Sequence, residues 1–128
     1  MVFLKSTISD LAGKDLITTQ EWTIEELRAA IELARELKRL YYYKGPKGIP
    51  NYLEKKTFIM LFYAPSTRTR AAFETAMTLL GGHAQYVEAR MTRVKEGEAL
   101  KDLAKMYEIF GNGVGTVSYT HLTLPTKA

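Results

Sequence analysis

Residues 58–82 read FIMLFYAPSTRTRAAFETAMTLLGG, and the reading of this stretch decides the fold. Phe58-Ile59-Met60-Leu61-Phe62-Tyr63 is a short, unbroken apolar run of the kind that forms a buried strand, and Ala64-Pro65 stops it. Ser66-Thr67-Arg68-Thr69-Arg70 then opens a helix with apolar positions at Ala72, Phe73, Ala76, Met77 and Leu80, and Gly81-Gly82 closes it. The sequence predicts a strand, a sharp turn and a helix N-terminus in direct succession.

Such a helix start suits an anion. Ser66 stands at the N-cap position, so the first turn presents unpaired backbone N–H groups and the positive end of the helix dipole. Phosphate is a common guest of that geometry. Thr67 and Thr69 add hydroxyl donors, and Arg68 adds a planar fork matched to phosphate oxygens. Residues two apart on a helix lie about 200° apart around its axis, so if Arg68 faces a ligand, Arg70 faces elsewhere. Glu74, one turn beyond, is the expected partner of Arg70. The same pentapeptide would also serve a plain, well-capped helix start on a basic surface. The strand before it and the periodic helix after it favour the phosphate site, because an α/β crossover supplies that setting.

Phe62, Ser66-Thr67-Arg68-Thr69-Arg70, Phe73-Glu74 and Leu80-Gly81-Gly82 together resemble the carbamoyl-phosphate-binding signature of the aspartate and ornithine carbamoyltransferases, and the likeness extends from about Asp15 to about Gly115. The resemblance implies an α/β fold, a three-layer α/β/α domain with a short parallel sheet, present here as an incomplete carbamoyl-phosphate-binding domain over residues 1–116. It implies transfer of a carbamoyl group from carbamoyl phosphate to an amine or amino acid. Ser66, Thr67, Arg68 and Thr69 would bind the substrate, with Arg68 and Thr69 also acting in catalysis. No metal and no organic cofactor is implied, and the full-length parent would be a homotrimer.

Length and composition are those of an ordinary soluble globular chain. The 128 residues suffice for one domain with a genuine core, and 25% charged against 46% hydrophobic residues is ordinary for a globular chain. With no cysteine there is neither a disulfide nor a thiolate nucleophile, which suits the cytoplasm. The opening Met1-Val2-Phe3-Leu4-Lys5 is too short an apolar run for a signal peptide, and no stretch is long enough to span a bilayer. The net charge of +4 suits a small anion as well as nucleic acid.

Upstream of the central stretch, residues to about Gln20 form a lead-in in which Leu11, Leu16 and Ile17 are expected to pack. Thr23-Ile24-Glu25-Glu26 is a capping box with Trp22 placed to staple onto Leu27. Ile24, Leu27, Ile31, Ala34 and Leu37 then repeat at helical spacing, predicting a core helix. Its basic end (Arg35, Lys38, Arg39, Lys44, Lys47) reads as a solvated face that suits the helix C-terminal dipole, and Tyr41-Tyr42-Tyr43 as half-buried tyrosines at a helix end. Gly45 to Asn51 is a turn-rich linker.

Downstream, His83 to Glu88 predicts a second strand, parallel to the first through a crossover. His83 has no partner at metal-ligand spacing and is expected to be structural or exposed. Ala89 to Gly97 reads as a loop, followed by a helix from Glu98 with apolar or small positions at Leu100, Leu103, Ala104, Tyr107 and Ile109. By resemblance this loop reaches a neighbouring subunit's site, where Thr92 takes a serine's place. Glu96 stands where the aspartate-type family has a lysine, so Lys95 or Arg93 must substitute or the loop works differently. Gly97-Glu98-Ala99-Leu100-Lys101-Asp102 resembles the family's anchor, with Ala99 in place of a hydroxyl. Phe110 to Thr116 stops the helix and begins a third strand. Residues 117–128, VSYTHLTLPTKA, fit nothing further in the family and read as a non-native tail, so Val117 stands where the family has an arginine. The chain alone would then be inactive.

Two other functions fit the residues. A basic α/β module could bind nucleic acid through Arg68, Arg70, Arg90 and Arg93, although no stacking aromatic pair accompanies them. A non-catalytic paralogue that senses the metabolite would share this half of the chain.

Overall fold

The computed structural model describes residues 7–92 and 100–118. The chain divides into two compact units, residues 1–49 and 50–128.

The first unit is built on α1, Ile24–Lys44, flanked by short 3₁₀ turns at Thr19–Glu21 and Pro46–Gly48. The capping box forms as the sequence predicts. The Glu26 N–H donates to Thr23 Oγ1 at 3.1 Å, and the Thr23 N–H donates to Glu26 Oε2 at 2.8 Å. Lys14 Nζ donates to the same carboxylate oxygen at 2.7 Å. Hydrogen bonding from Lys14 and then from the Thr23 amide holds the Glu26 carboxyl below its usual pKa. The lead-in differs from expectation, because Leu16 and Ile17 are exposed. So does the face of α1: Ile24, Ile31 and Ala34 point outward, while Leu27, Ala30, Leu33, Leu37 and Leu40 are half-buried around the buried Ala29. The helical period is right, and the inner face keeps the predicted Leu27 and Leu37 but is rolled away from Ile24, Ile31 and Ala34 toward Ala29, Ala30 and Leu33.

The second unit is a parallel three-stranded sheet in the order β2-β1-β3, with β1 at Thr57–Phe62, β2 at His83–Glu88 and β3 at Gly113–Val117. Helix α2, Thr67–Leu79, connects β1 to β2, and helix α3, Leu100–Phe110, precedes β3. Because β1 is central, its two faces are both covered, which is why its sequence is a continuous apolar run rather than an alternation. Ile59 and Met60 are fully buried, with Leu61 and Phe62 close behind. Odd positions face α3: Ile59 and Leu61 cluster with Ala89, Leu103 and Tyr107, and Val87 packs against them. Even positions face α2: Phe58 stacks on Phe73 with ring centroids 5.1 Å apart. The result is the expected three-layer α/β/α arrangement.

The register places Thr57 beside His83, Phe58 beside Gly113 and Phe62 between Glu88 and Val117. Phe58 lies so close over β3 that a Cβ at Gly115 would fall 2.7 Å from its Cζ, so a side chain there would have to push the Phe58 ring aside. At the other end of α2, Gly81 adopts φ 85°, and the Gly82 N–H reaches back to the Met77 carbonyl at 2.8 Å. That left-handed turn is the physical reason for the Gly81-Gly82 stop.

On α3, Leu103 and Tyr107 are buried as expected, whereas Leu100, Ala104 and Ile109 are exposed. His83 is exposed. Val117, the first residue of the segment read as a tail, pairs with Phe62 in β3. No helix among the described residues is long and apolar enough to cross a membrane.

Candidate functional site

The strand order reverses at β1, with β2 on one side and β3 on the other. In an open α/β sheet, ligands bind beyond the carboxyl ends of the strands at such a switch point. Here that place is formed by Tyr63 to Ser66, leading from β1 into α2. The Tyr63 N–H donates to the Val117 carbonyl at 2.8 Å, which ties the exit of β1 to β3.

Ser66 occupies the N-cap position of α2 in extended backbone, φ −149° and ψ 92°, and its side chain makes no cap hydrogen bond. No acidic residue lies in the first turn. The hydroxyl of Ser66 is therefore not used to satisfy the helix, and the amide donors and positive dipole end are left uncompensated by a local carboxylate. A hollow at this point is lined by Pro65, Ser66, Thr67, Arg70, Ala71, Glu74 and Tyr86. A second hollow, lined by Phe62 to Pro65 with Tyr86, Glu88 and Arg90, adjoins it across Pro65 and Tyr86.

The structure brings Ser66, Thr67, Arg68 and Thr69 together on this one turn. Ser66 and Thr69 are half-buried; Thr67 and Arg68 are exposed. No ion-pair partner meets Arg68 among the described residues, and it borders neither hollow. Arg70 is tied down as the sequence predicts: its Nε donates to Glu74 Oε1 at 3.0 Å. Arg90 Nε donates to Glu88 Oε2 at 2.5 Å, and that hydrogen bond, followed by charge attraction, holds the Arg90 guanidinium still more firmly protonated. Two of the four arginines of a nucleic-acid face are thus engaged with carboxylates.

Thr92 stands at the end of a 3₁₀ turn, Ala89–Met91, and its hydroxyl donates to the Ala89 carbonyl at 2.6 Å. In this conformation only its lone pairs remain, so donation to an anion requires exchange of that bond. Lys95 lies outside the described residues, as do Arg93 and Glu96.

One residue that sequence reasoning missed is Tyr86. Its ring lies under the Arg70 guanidinium, 3.6 Å from Cζ to centroid, and meets Phe62 edge-on at 5.3 Å. Alternation along β2 placed Tyr86 on the same side as Ala84, but no local pattern signals a contact between a strand and a helix turn sixteen positions away.

The architecture is that of an open α/β domain with its switch point at β1, and comparison with known proteins shows the family. The chain belongs to the family described as "Aspartate/ornithine carbamoyltransferase, carbamoyl-P binding domain", whose model matches residues 14–124. The anabolic ornithine carbamoyltransferase of Pyrococcus furiosus is 37% identical over 114 residues, covering 89% of this chain and 35% of that protein. The solved structure of the Pyrococcus furiosus ornithine carbamoyltransferase superposes with a TM-score of 0.76 at 38% identity, covering 83% of this chain and 33% of the other. An aspartate transcarbamoylase from Trypanosoma cruzi, in complex with carbamoyl phosphate, shares the fold with a TM-score of 0.75 at 23% identity, covering 85% of this chain and 34% of the other. The chain spans about a third of the length of the relatives it matches.

Proposed function

We propose that this chain supplies the carbamoyl-phosphate-binding part of a carbamoyltransferase that acts on an amine or amino-acid acceptor. The observation that carries the proposal is the family's Ser66-Thr67-Arg68-Thr69-Arg70 signature, seated on a helix start whose N-cap hydroxyl is unused, beyond the central strand of a parallel sheet.

In the reaction, an uncharged amine attacks the carbonyl carbon of carbamoyl phosphate. The bond from that carbon to the phosphate oxygen breaks, phosphate leaves with the electron pair, and the amine gives up a proton. No covalent enzyme intermediate is needed, so positioning and electrostatic stabilisation can supply most of the acceleration. Ser66, Thr67 and the first-turn amides of α2 hold the phosphate. Arg68 neutralises the charge growing on the leaving group, and its present exposure leaves the guanidinium unengaged and able to fold over a bound anion. Thr69 donates to the carbonyl oxygen.

Thr92 and Lys95 belong to the arm that completes a neighbouring subunit's site in a homotrimeric, cytoplasmic parent. The segment 117–128 is read as a non-native tail from its composition, although the family model's match runs on to residue 124; Val117 can complete β3 because parallel pairing uses only backbone groups. The acceptor is bound by sequence beyond these residues, so the chain by itself binds carbamoyl phosphate without turning it over.

Calorimetry with carbamoyl phosphate and with inorganic phosphate tests the proposal. Binding by the chain and its loss in Arg68→Ala, with the circular dichroism spectrum unchanged, is the expected result. Equal affinity in the variant would remove Arg68 from the site.

A further inference from the structure

Helix α2 begins without a side-chain cap, and an uncapped first turn frays. A binding site built on that turn needs something else to keep it formed. The first closed hydrogen bond of α2 runs from the Arg70 N–H to the Ser66 carbonyl at 3.0 Å, so whatever fixes Arg70 fixes the turn. The Arg70 side chain is held twice: by Glu74 on its own helix and by the Tyr86 ring on β2. Tyr86 is in turn braced edge-on by Phe62, which is buried at the end of β1.

We infer that Tyr86 is a positioning residue for the oxyanion site, clamping the first turn of α2 onto the sheet through the Arg70 guanidinium. This rests on the phosphate-binding reading of Ser66 to Thr69. Of the two contacts that hold the Arg70 side chain, the ring stack is the one that reaches the sheet; the Glu74 pair stays within α2 and cannot stop the first turn from lifting, and the Phe58–Phe73 stack lies further along the helix. A guanidinium held over a ring also keeps its charge beside the hollow that Ser66 and Thr67 line. The site is thereby preorganised, and a ligand does not have to order it.

Two measurements on the 128-residue chain test this: the Arg70 side-chain nitrogen and proton resonances, and calorimetric affinity for inorganic phosphate at fixed salt. The wild type should show Arg70 signals displaced upfield by the Tyr86 ring current. Tyr86→Phe should keep both the displacement and the affinity. Tyr86→Leu should lose the displacement and bind phosphate about five-fold more weakly, the scale of one partly exposed cation–π contact. Arg70→Gln should weaken binding to a similar degree, and adding Tyr86→Leu to it should cost nothing more. Should Tyr86→Leu not fold, the wild-type resonances and the Arg70→Gln and Tyr86→Phe affinities still decide. Equal affinity of Tyr86→Leu or Arg70→Gln with the wild type, while Arg68→Ala loses binding, overturns the clamp alone. Loss of affinity in Tyr86→Phe overturns it too, by shifting the role to the hydroxyl. Failure of the wild type to bind phosphate overturns the clamp together with the reading beneath it.

Discussion

Thr23 and Glu26 close the first turn of α1 upon itself, whereas the side chain of Ser66, at the same position of α2, caps no amide of its helix. The two starts also differ in charge. Helix α1 carries Glu25 and Glu26 in its first turn, and α2 has no acid there but two arginines. Every helix start faces the same difficulty of unpaired amides and a positive dipole end. In α1 the chain answers it locally, and the result is stability. In α2 the answer is left to a guest, with the turn held by a contact to the sheet. Local stability withheld at one helix start is thus available for binding.

The sharpest way to break this contrast is to give α2 the kind of cap that α1 has. Ser66→Asp should raise the stability of the second unit by about 0.5 kcal/mol. It should lower phosphate affinity on the order of 100-fold, because a fixed carboxylate takes the anion's place and repels it. Chemical denaturation and calorimetry on the one variant check both signs. A variant that is more stable and still binds would show that the open start is incidental.

The reverse experiment removes the cap from α1. Thr23→Ala should cost about 1 kcal/mol, read as faster amide exchange at Glu26 and the residues after it. Phosphate affinity should not change. A third test uses acid. The carboxyl of Glu26 is held below its usual pKa by Lys14 and the Thr23 amide, so its contribution is fully present above the ordinary glutamate range. It is lost as pH falls through the depressed folded value. Protection of the first turn of α1 should therefore fall below the usual carboxylate range, and Glu26→Gln should flatten that dependence. The smallest effect is expected at Glu74. Its pair with Arg70 is half-exposed, and Glu74→Gln should cost about 0.3 kcal/mol of α2 stability with the Tyr86 stack intact.

Much of this was legible in the sequence because it is written in neighbouring residues. The strand-turn-helix, the capping box, the Arg70 pair with Glu74 and the glycine stop all join positions a few residues apart. What could not be read depends on where a helix rolls and on what meets across space. Ile24 and Ile31 share the helical period, yet the buried Ala29, with Ala30 half-buried beside it, marks the inner face. Ile109 stands only two residues past Tyr107, about 200° around α3, and so faces away from the sheet that Leu103 and Tyr107 reach. The commitment of the Thr92 hydroxyl to Ala89 depends on a 3₁₀ turn that the loop reading of residues 89–97 did not resolve. The Arg70 contact with Tyr86 pairs a helix with a strand that leaves no trace in either one's pattern.

Asn112 holds the sheet at its other end. Its side-chain oxygen accepts from the Thr57 N–H at 2.9 Å, while its own N–H donates to the Thr57 carbonyl at 2.8 Å. Parallel strands have no hairpin to set their alignment, so one residue grasping both backbone groups of another sets the zero from which β3 is counted against β1. A slip of one position there would turn the glycines that make room for Phe58 away from it. It would also move the Val117 carbonyl off the Tyr63 amide at the opposite rim. An amide side chain far from any ligand thereby settles the height at which the polypeptide emerges beside Ser66.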